Sequence, residues 1–176
     1  DTFFYQLSLL LGNENISNIL NGWGFGQKTH IDLPYEKSGL VPNRLWKENQ
    51  GQKWVAGDTI ISGIGQGATL STPLQIAQAT AALANHGHTF QPHLLISQTH
   101  PSGRVTEYTP QTLPPLQLGD DHQKQIIRSM AKVTTVGTGK RFGTFAWPVA
   151  AKTGTAQVAR HSGKDKIYAK HLQDHS

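Results

Sequence analysis

The sequence contains no cysteine among its 176 residues. Disulfides, thiolate metal sites and cysteine nucleophiles are thereby excluded, and the redox compartment is left open. Long apolar runs are missing as well. No stretch approaches the roughly 18 residues that a membrane helix needs, and the opening residues do not read as a signal peptide. Acidic residues are scarce: 11 Asp and Glu stand against 16 Lys and Arg, a net charge of +5. The imbalance is uneven, because from Lys140 onward the only acids are Asp165 and Asp174. A basic end suits nucleic acid, an anionic surface or a substrate bearing carboxylates. There is no RGG tract, no zinc-finger spacing and no interleaving of aromatics with basic residues, which argues against nucleic acid.

The scarcity of acids also disposes of a glycine motif. "GIGQGA" (63–68) matches the dinucleotide fingerprint, but that site needs an acidic residue about 20 positions on. No Asp or Glu occurs between Asp58 and Glu107. The glycines read instead as a loop that turns tightly or approaches a neighbour closely. "VGTGKR" (136–141) resembles a phosphate loop but has Thr134 and Arg141 where that motif needs glycine and Ser or Thr. Of the nine histidines, "HGH" (86–88) is the densest cluster. It has no carboxylate nearby to complete a metal shell, so solvated or capping histidines are expected and no metal site.

What is present is a globular composition of a size for one domain, 36% apolar and 15% charged. Phe3, Phe4, Leu7, Leu10 and Leu11 repeat with the period of a core-facing helix, stopped at Gly12, and a short helix follows over 15–20. A loop-rich stretch runs to about Gly57. Residues 58–87 predict a short strand, the glycine loop, and a helix with a capping box of Thr72 and Gln75 and Pro73 at its first position. Its alanines imply close packing. A hairpin is predicted around "HPSG", then a loop, then a helix capped by Asp120 or Asp121 with Ile126, Ile127, Met130 and Val133 on one face. "VGTGKRFG" reads as a loop and "WPVAAKTGTAQVA" (147–159) as a long strand. Helices and strands without βαβ alternation give an α+β class.

The last strand carries the chemistry. In "KTGT", alternation places Lys152 and Gly154 on one side and Thr153 and Thr155 on the other. Glycine opens the strand to a ligand or a neighbouring element, lysine supplies positive charge, threonine supplies a hydroxyl, and a strand N–H can serve an oxyanion hole. Taken alone, the tetrapeptide is better explained by a lysine snorkelling from an edge strand beside a bulge glycine.

The wider sequence adds to it. Lys-Thr-Gly-Thr on a strand is one of three signatures of the penicillin-binding proteins and serine β-lactamases, beside Ser-x-x-Lys and Ser-x-Asn. "DTFFYQL", "GFGQKTHIDLPYEKSGLVPNRLWK", "WVAGDTIISGIGQGATLSTPLQIAQATAALANHG" and "AAKTGTAQVA" resemble, in that order, the C-terminal part of the transpeptidase domain of class B penicillin-binding protein 2, the peptidoglycan D,D-transpeptidase family of side-wall elongation. Two imitations are set aside. "SMAK" (129–132) is a literal Ser-x-x-Lys that falls after the other blocks, on a helix surface, whereas the family places Ser-x-x-Lys first. "KSG" (37–39) lies in a loop between Pro34 and Pro42.

The resemblance implies an antiparallel sheet flanked by helices, in the β-lactamase/transpeptidase fold. It implies that residues 1–176 form a partial domain, with the nucleophilic serine upstream, and the last strands and C-terminal helix downstream. On this expectation the chain leaves bare apolar faces and is inactive alone. Asp1 would close the Ser-x-Asp triad. Lys152 would assist proton transfer, Thr153 and Thr155 would hold the substrate carboxylate, the Thr155 N–H would face the oxyanion, and Gly154 would keep the strand open. The implied partners are peptidoglycan stem peptides ending in D-alanyl-D-alanine, β-lactam antibiotics, and an elongation machinery with a membrane glycosyltransferase. No cofactor, metal or nucleic acid is implied. The implied location is the periplasmic face of the bacterial inner membrane, through an N-terminal anchor. From composition alone, a non-catalytic basic binding module or the product of a disrupted gene remains the alternative.

Overall fold

The computed structural model describes residues 2–116 and 118–156, in two compact units that divide after Gln117. In the first unit, α1 (Thr2–Gly22) is broken at Gly12, whose φ of 75° and ψ of 155° leave the helical region. The break falls where the sequence places a helix stop, so two short helices run nearly end to end. Their buried face differs from the expected one. Ser8, Asn13 and Ser17 are buried, whereas Phe3, Phe4 and Leu10 are exposed, Leu10 by 84%. The reason is what packs there. Asn13 Nδ2 and Ser17 Oγ both donate to the Pro42 carbonyl, at 3.2 and 3.3 Å, and α3 (Ala56–Ser62) lies along the same side. No described element covers the apolar stripe.

α3 replaces the strand expected over this stretch. The β-branched run Thr59, Ile60 and Ile61 favours a strand by local propensity, but tertiary contacts override it. Asp58, in the first turn, accepts from the Val55 N–H at 2.8 Å and from the Lys47 ammonium. At the other end, Gly63 lies against α1. A Cβ there would sit 1.7 Å from Ser8 Oγ, so only glycine lets the two helices approach this closely. A further helix, α2 (Arg44–Asn49), occupies the expected loop region and is capped by Asn43, whose Oδ1 accepts from the Trp46 N–H at 2.8 Å.

α4 (Pro73–Ala84) forms as expected, with reciprocal Thr72–Gln75 capping bonds, Pro73 in its first turn, and Ala79 and Ala82 buried. Gln75 does more than cap. Only 1% exposed, it donates through Nε2 to the carbonyls of Gln27 (2.5 Å) and Ser38 (2.8 Å). That clasp fastens the 27–39 loop to the helix, beside a bridge pairing Leu40 with Leu70. The "KSG" imitation lies within this loop. β1 (Ser97–Thr99) and β2 (Val105–Glu107) form the antiparallel hairpin, with Ser97 opposite Glu107 and Gly103 in the turn at φ 81°.

In the second unit, α5 (Asp120–Thr135) starts from Gly119, which makes no side-chain cap. Asp120 and Asp121 are therefore first-turn residues rather than caps, where their charge complements the helix dipole. Ile127, Met130 and Val133 are half-buried, but Ile126 is exposed. Ser129 of "SMAK" donates back to the Gln125 carbonyl, as a helix-surface serine does. A 3-10 helix, Lys140–Thr144, follows in place of a plain loop and packs on α5.

Candidate functional site

The residues singled out from the sequence fall in the second unit. Val149 to Thr155 form no strand ladder among the described residues, contrary to the expected long strand, and residues 157–159 lie outside them. The segment is tied to a helix instead. Thr134 Oγ1 donates to the Val149 carbonyl at 2.9 Å, and the Ala151 N–H donates to the Met130 carbonyl at 3.1 Å.

Beyond this anchor, Lys152, Thr153, Gly154 and Thr155 are exposed. The Lys152 ammonium donates to the adjacent Thr153 carbonyl and has no carboxylate partner among the described residues. The Thr153 and Thr138 hydroxyls are 2.9 Å apart. Thr138 comes from the "VGTGKR" loop, whose glycines serve packing. A Cβ at Gly137 would fall 2.8 Å from Val133 Cα, and one at Gly139 3.2 Å from Val133 Cγ1. Around Gly154 the space is open, with no described atom within 4 Å of where a Cβ would stand. Neither a turn nor close packing demands glycine here, which leaves room for a ligand against the backbone. Asp1 lies outside the described residues.

The glycine loop of the first unit acts as the sequence reading anticipates. Gly65 and Gly67 have φ of 75° and 74°, and a Cβ on Gly67 would crowd Ile61 at 2.8 Å. Near it, Lys47 and Asp58 pair, the Lys47 Nζ stands 5.9 Å from the Trp54 ring centre, and Trp54 Nε1 donates to Thr59 Oγ1 at 2.9 Å. Burial pushes the Asp58 carboxyl up, but its bonds from Lys47 and the Val55 N–H outweigh that and hold it below its usual 3.8.

Two further carboxylates escaped the sequence reading. Glu36 accepts from the Thr29 N–H (2.7 Å), the Thr29 hydroxyl (2.6 Å) and the His30 N–H (3.0 Å). Burial would raise its pKa, yet these bonds lower it below 4.5. Asp32 accepts from the Leu95 and Leu94 N–H groups at 2.7 and 2.8 Å, which lower its pKa. Both pin a loop whose Pro34 signalled a turn but not its fastenings. Beside this loop, within the first unit, lies a cleft of about 360 Å³ bordered by Trp23, Gln27, Lys28, His30, Gln78 and Gln91.

Comparison with known proteins bears on all of these residues at once. The family model for the penicillin binding protein transpeptidase domain matches residues 1–172. The chain is 41% identical over 167 residues to the peptidoglycan D,D-transpeptidase MrdA of Salmonella typhimurium, covering 90% of this chain and 26% of that protein. Among solved structures, penicillin-binding protein 2 of Pseudomonas aeruginosa in complex with WCK 5153 superposes with a TM-score of 0.75 at 37% identity, over 89% of this chain and 36% of that one. Penicillin-binding protein 2 of Helicobacter pylori, in complex with MreC, gives 0.70 at 34% identity, over 90% and 29%. The chain thus spans about a quarter to a third of the length of these relatives.

Proposed function

Because the chain belongs to the penicillin binding protein transpeptidase domain family, we propose that the protein is a peptidoglycan D,D-transpeptidase of cell-wall elongation. Residues 1–176 supply the C-terminal part of its catalytic domain, and residues ahead of Asp1 supply the nucleophilic serine. The observation that carries this reading is the state of the Lys152–Thr155 segment. Among the described residues it holds an ammonium without a carboxylate partner, two exposed threonines, and open space at Gly154, inside a chain matched to the family over residues 1–172.

In the proposed reaction the serine oxygen attacks the carbonyl carbon of the penultimate D-alanine, and its proton passes by way of Lys152. The oxyanion that forms is held by the Thr155 N–H. The peptide C–N bond then breaks, the terminal D-alanine leaves as an amine carrying that proton, and an ester remains on the serine. The amine of a neighbouring stem attacks the ester carbonyl, the C–O bond to the serine breaks, and the amine's proton passes to the serine oxygen, leaving the cross-linking amide and the free serine. Thr153 and Thr155 serve the terminal carboxylate, for which the surplus of positive charge beyond Lys140 is suited. Asp1 completes the second signature. β-Lactams acylate the same serine.

No described helix is long and apolar enough to cross a membrane. The proposed anchor therefore lies in other residues, with the domain at the periplasmic face of the inner membrane. The relative solved with MreC supports an elongation complex as partner, and a membrane glycosyltransferase belongs to the same proposal. The test is acylation by a fluorescent penicillin, with the adduct located by mass spectrometry. A form extended ahead of Asp1 is expected to carry the adduct on an upstream serine, and the 176-residue chain none. An adduct on Ser129 would overturn the assignment.

A further inference from the structure

The cleft of the first unit is built from groups that the proposed chemistry does not use. Three glutamines border it, and each spends its amide nitrogen on a main-chain carbonyl. Gln27 Nε2 donates to Asn21 at 2.6 Å, Gln78 Nε2 to Phe90 at 3.2 Å, and Gln91 Nε2 to His30 at 2.6 Å. A carbonyl accepts only from the NH₂ end, so these bonds fix which way each carboxamide points. The three Oε1 atoms accept no hydrogen bond from the described residues. Gln27 is exposed and Gln78 and Gln91 are half-buried, so these oriented oxygens are open to donors from solvent or from a ligand.

The walls are held before any ligand arrives. His30 adopts a left-handed φ of 60°, with its N–H bonded to Glu36 and its carbonyl to Gln91. Part of the main chain around the cleft is already occupied. The Thr29 N–H is taken by Glu36, the Gln91 N–H by the Gln111 carbonyl, and the Thr89 carbonyl by the Leu113 N–H. Three of the groups a peptide strand could pair with are thereby taken, which disfavours a peptide occupant. The lining holds Lys28 and His30 but no carboxylate, so nothing attracts a cation. An indole, Trp23, and an apolar lip of Leu113, Pro114 and Leu116 complete it. Acceptors that need hydroxyl or amide donors, next to apolar surfaces that can take ring C–H faces, match a saccharide. The volume falls within the roughly 300–1,000 Å³ of small-ligand sites.

We propose that this cleft binds N-acetylated amino sugars of a glycan strand, a contact separate from the stem peptide; the sugar class rests on the reading that the protein works on peptidoglycan. Its hydroxyl and acetamido N–H groups would donate to the oxygens of Gln27, Gln78 and Gln91, with a sugar face against Trp23.

The test is calorimetric titration of the protein with tri-N-acetylchitotriose, with maltotriose and the dipeptide D-alanyl-D-alanine as comparisons. Saturable binding of the acetylated trisaccharide is expected, at least tenfold tighter than maltotriose. Gln78→Leu should weaken it about tenfold with an unchanged circular dichroism spectrum, because the wall-pinning bonds of Glu36 and Gln91 stay intact. Trp23→Phe, which keeps an aromatic face, should weaken it less. No saturable binding, equal affinity in Gln78→Leu, or a preference for maltotriose or the dipeptide would each overturn the proposal. Penicillin labelling of the unsubstituted protein, in the form extended ahead of Asp1, separates the two readings. Normal labelling without sugar binding removes the glycan site alone, whereas sugar binding in an extended protein that never labels removes the transpeptidase.

Discussion

The hydroxyls of Thr138 and Thr153 lie 2.9 Å apart. The second residue of the lysine triad is thus held by a loop 15 positions earlier, one whose glycines resemble a phosphate site in sequence. The bond fixes one Thr153 rotamer beside Lys152. A neutral hydrogen bond contributes about 1 kcal/mol, equivalent to roughly fivefold. Thr138→Val is therefore expected to slow penicillin acylation of the extended protein by roughly fivefold, with stability lowered by no more than that one bond's contribution of about 1 kcal/mol. Thr138→Ser should restore the rate. An unchanged rate in the valine variant would show that Thr153 needs no such support.

Gly63 and Ser8 give a packing prediction in the first unit. Gly63→Ala places a methyl where Ser8 stands, and overpacking of this kind costs about 1–3 kcal/mol. Denaturant unfolding should report that loss. Ser8→Gly removes the obstacle at a helix-propensity cost of about 1 kcal/mol. The double variant should consequently recover much of what Gly63→Ala loses, and simple additivity would contradict the contact.

The Gln75 clasp is tested by Gln75→Leu. The substitution keeps an apolar body in a helix but strands the carbonyls of Gln27 and Ser38. A buried acceptor left without a donor costs about 1–3 kcal/mol. Destabilisation of about 2 kcal/mol or more is expected, with faster amide exchange across residues 27–39. A change confined to the capping turn of α4 would mean that the clasp carries no weight.

Acid should loosen the same unit. Glu36 and Asp58 have pKa values depressed in the folded chain, below 4.5 and 3.8. A depressed carboxylate contributes stability above its unfolded pKa and loses it as pH falls through the folded value. The melting temperature is accordingly expected to hold down to about pH 4.5 and fall below it, as these usual values imply. Glu36→Gln should flatten the fall. A melting temperature that rises on acidification would contradict the direction of both shifts.

Local signals carried much of this fold into view. Thr72, Pro73 and Gln75 marked the start of α4, Gly12 marked the break in α1, and "HPSG" marked the hairpin, because caps and turns are written in a few adjacent residues. The errors arose where distant contacts decide. Thr59 to Ile61 favour a strand until Lys47 and Ser8 are placed beside them. Asn43 capped a helix inside a stretch whose prolines suggested only loop. The apolar stripe of α1 had the period of a core helix, yet its serines and Asn13 found the neighbours. For the site, Lys152 to Thr155 were visible as a motif, whereas their anchorage to Met130, Thr134 and Thr138 is a tertiary fact that no spacing announces. Glu36 and Gln91 were hidden for the same reason.

The proposed role of Lys152 is the claim on which the functional account turns, and penicillin acylation of the extended protein measures it. Proton transfer by a positioned side chain contributes about 10²–10⁴-fold. Lys152→Ala should cut the acylation rate by about a hundredfold or more, with the melting temperature unchanged because, among the described residues, the exposed ammonium bonds only to its neighbour's carbonyl. Equal labelling of the variant and the wild type would contradict the account.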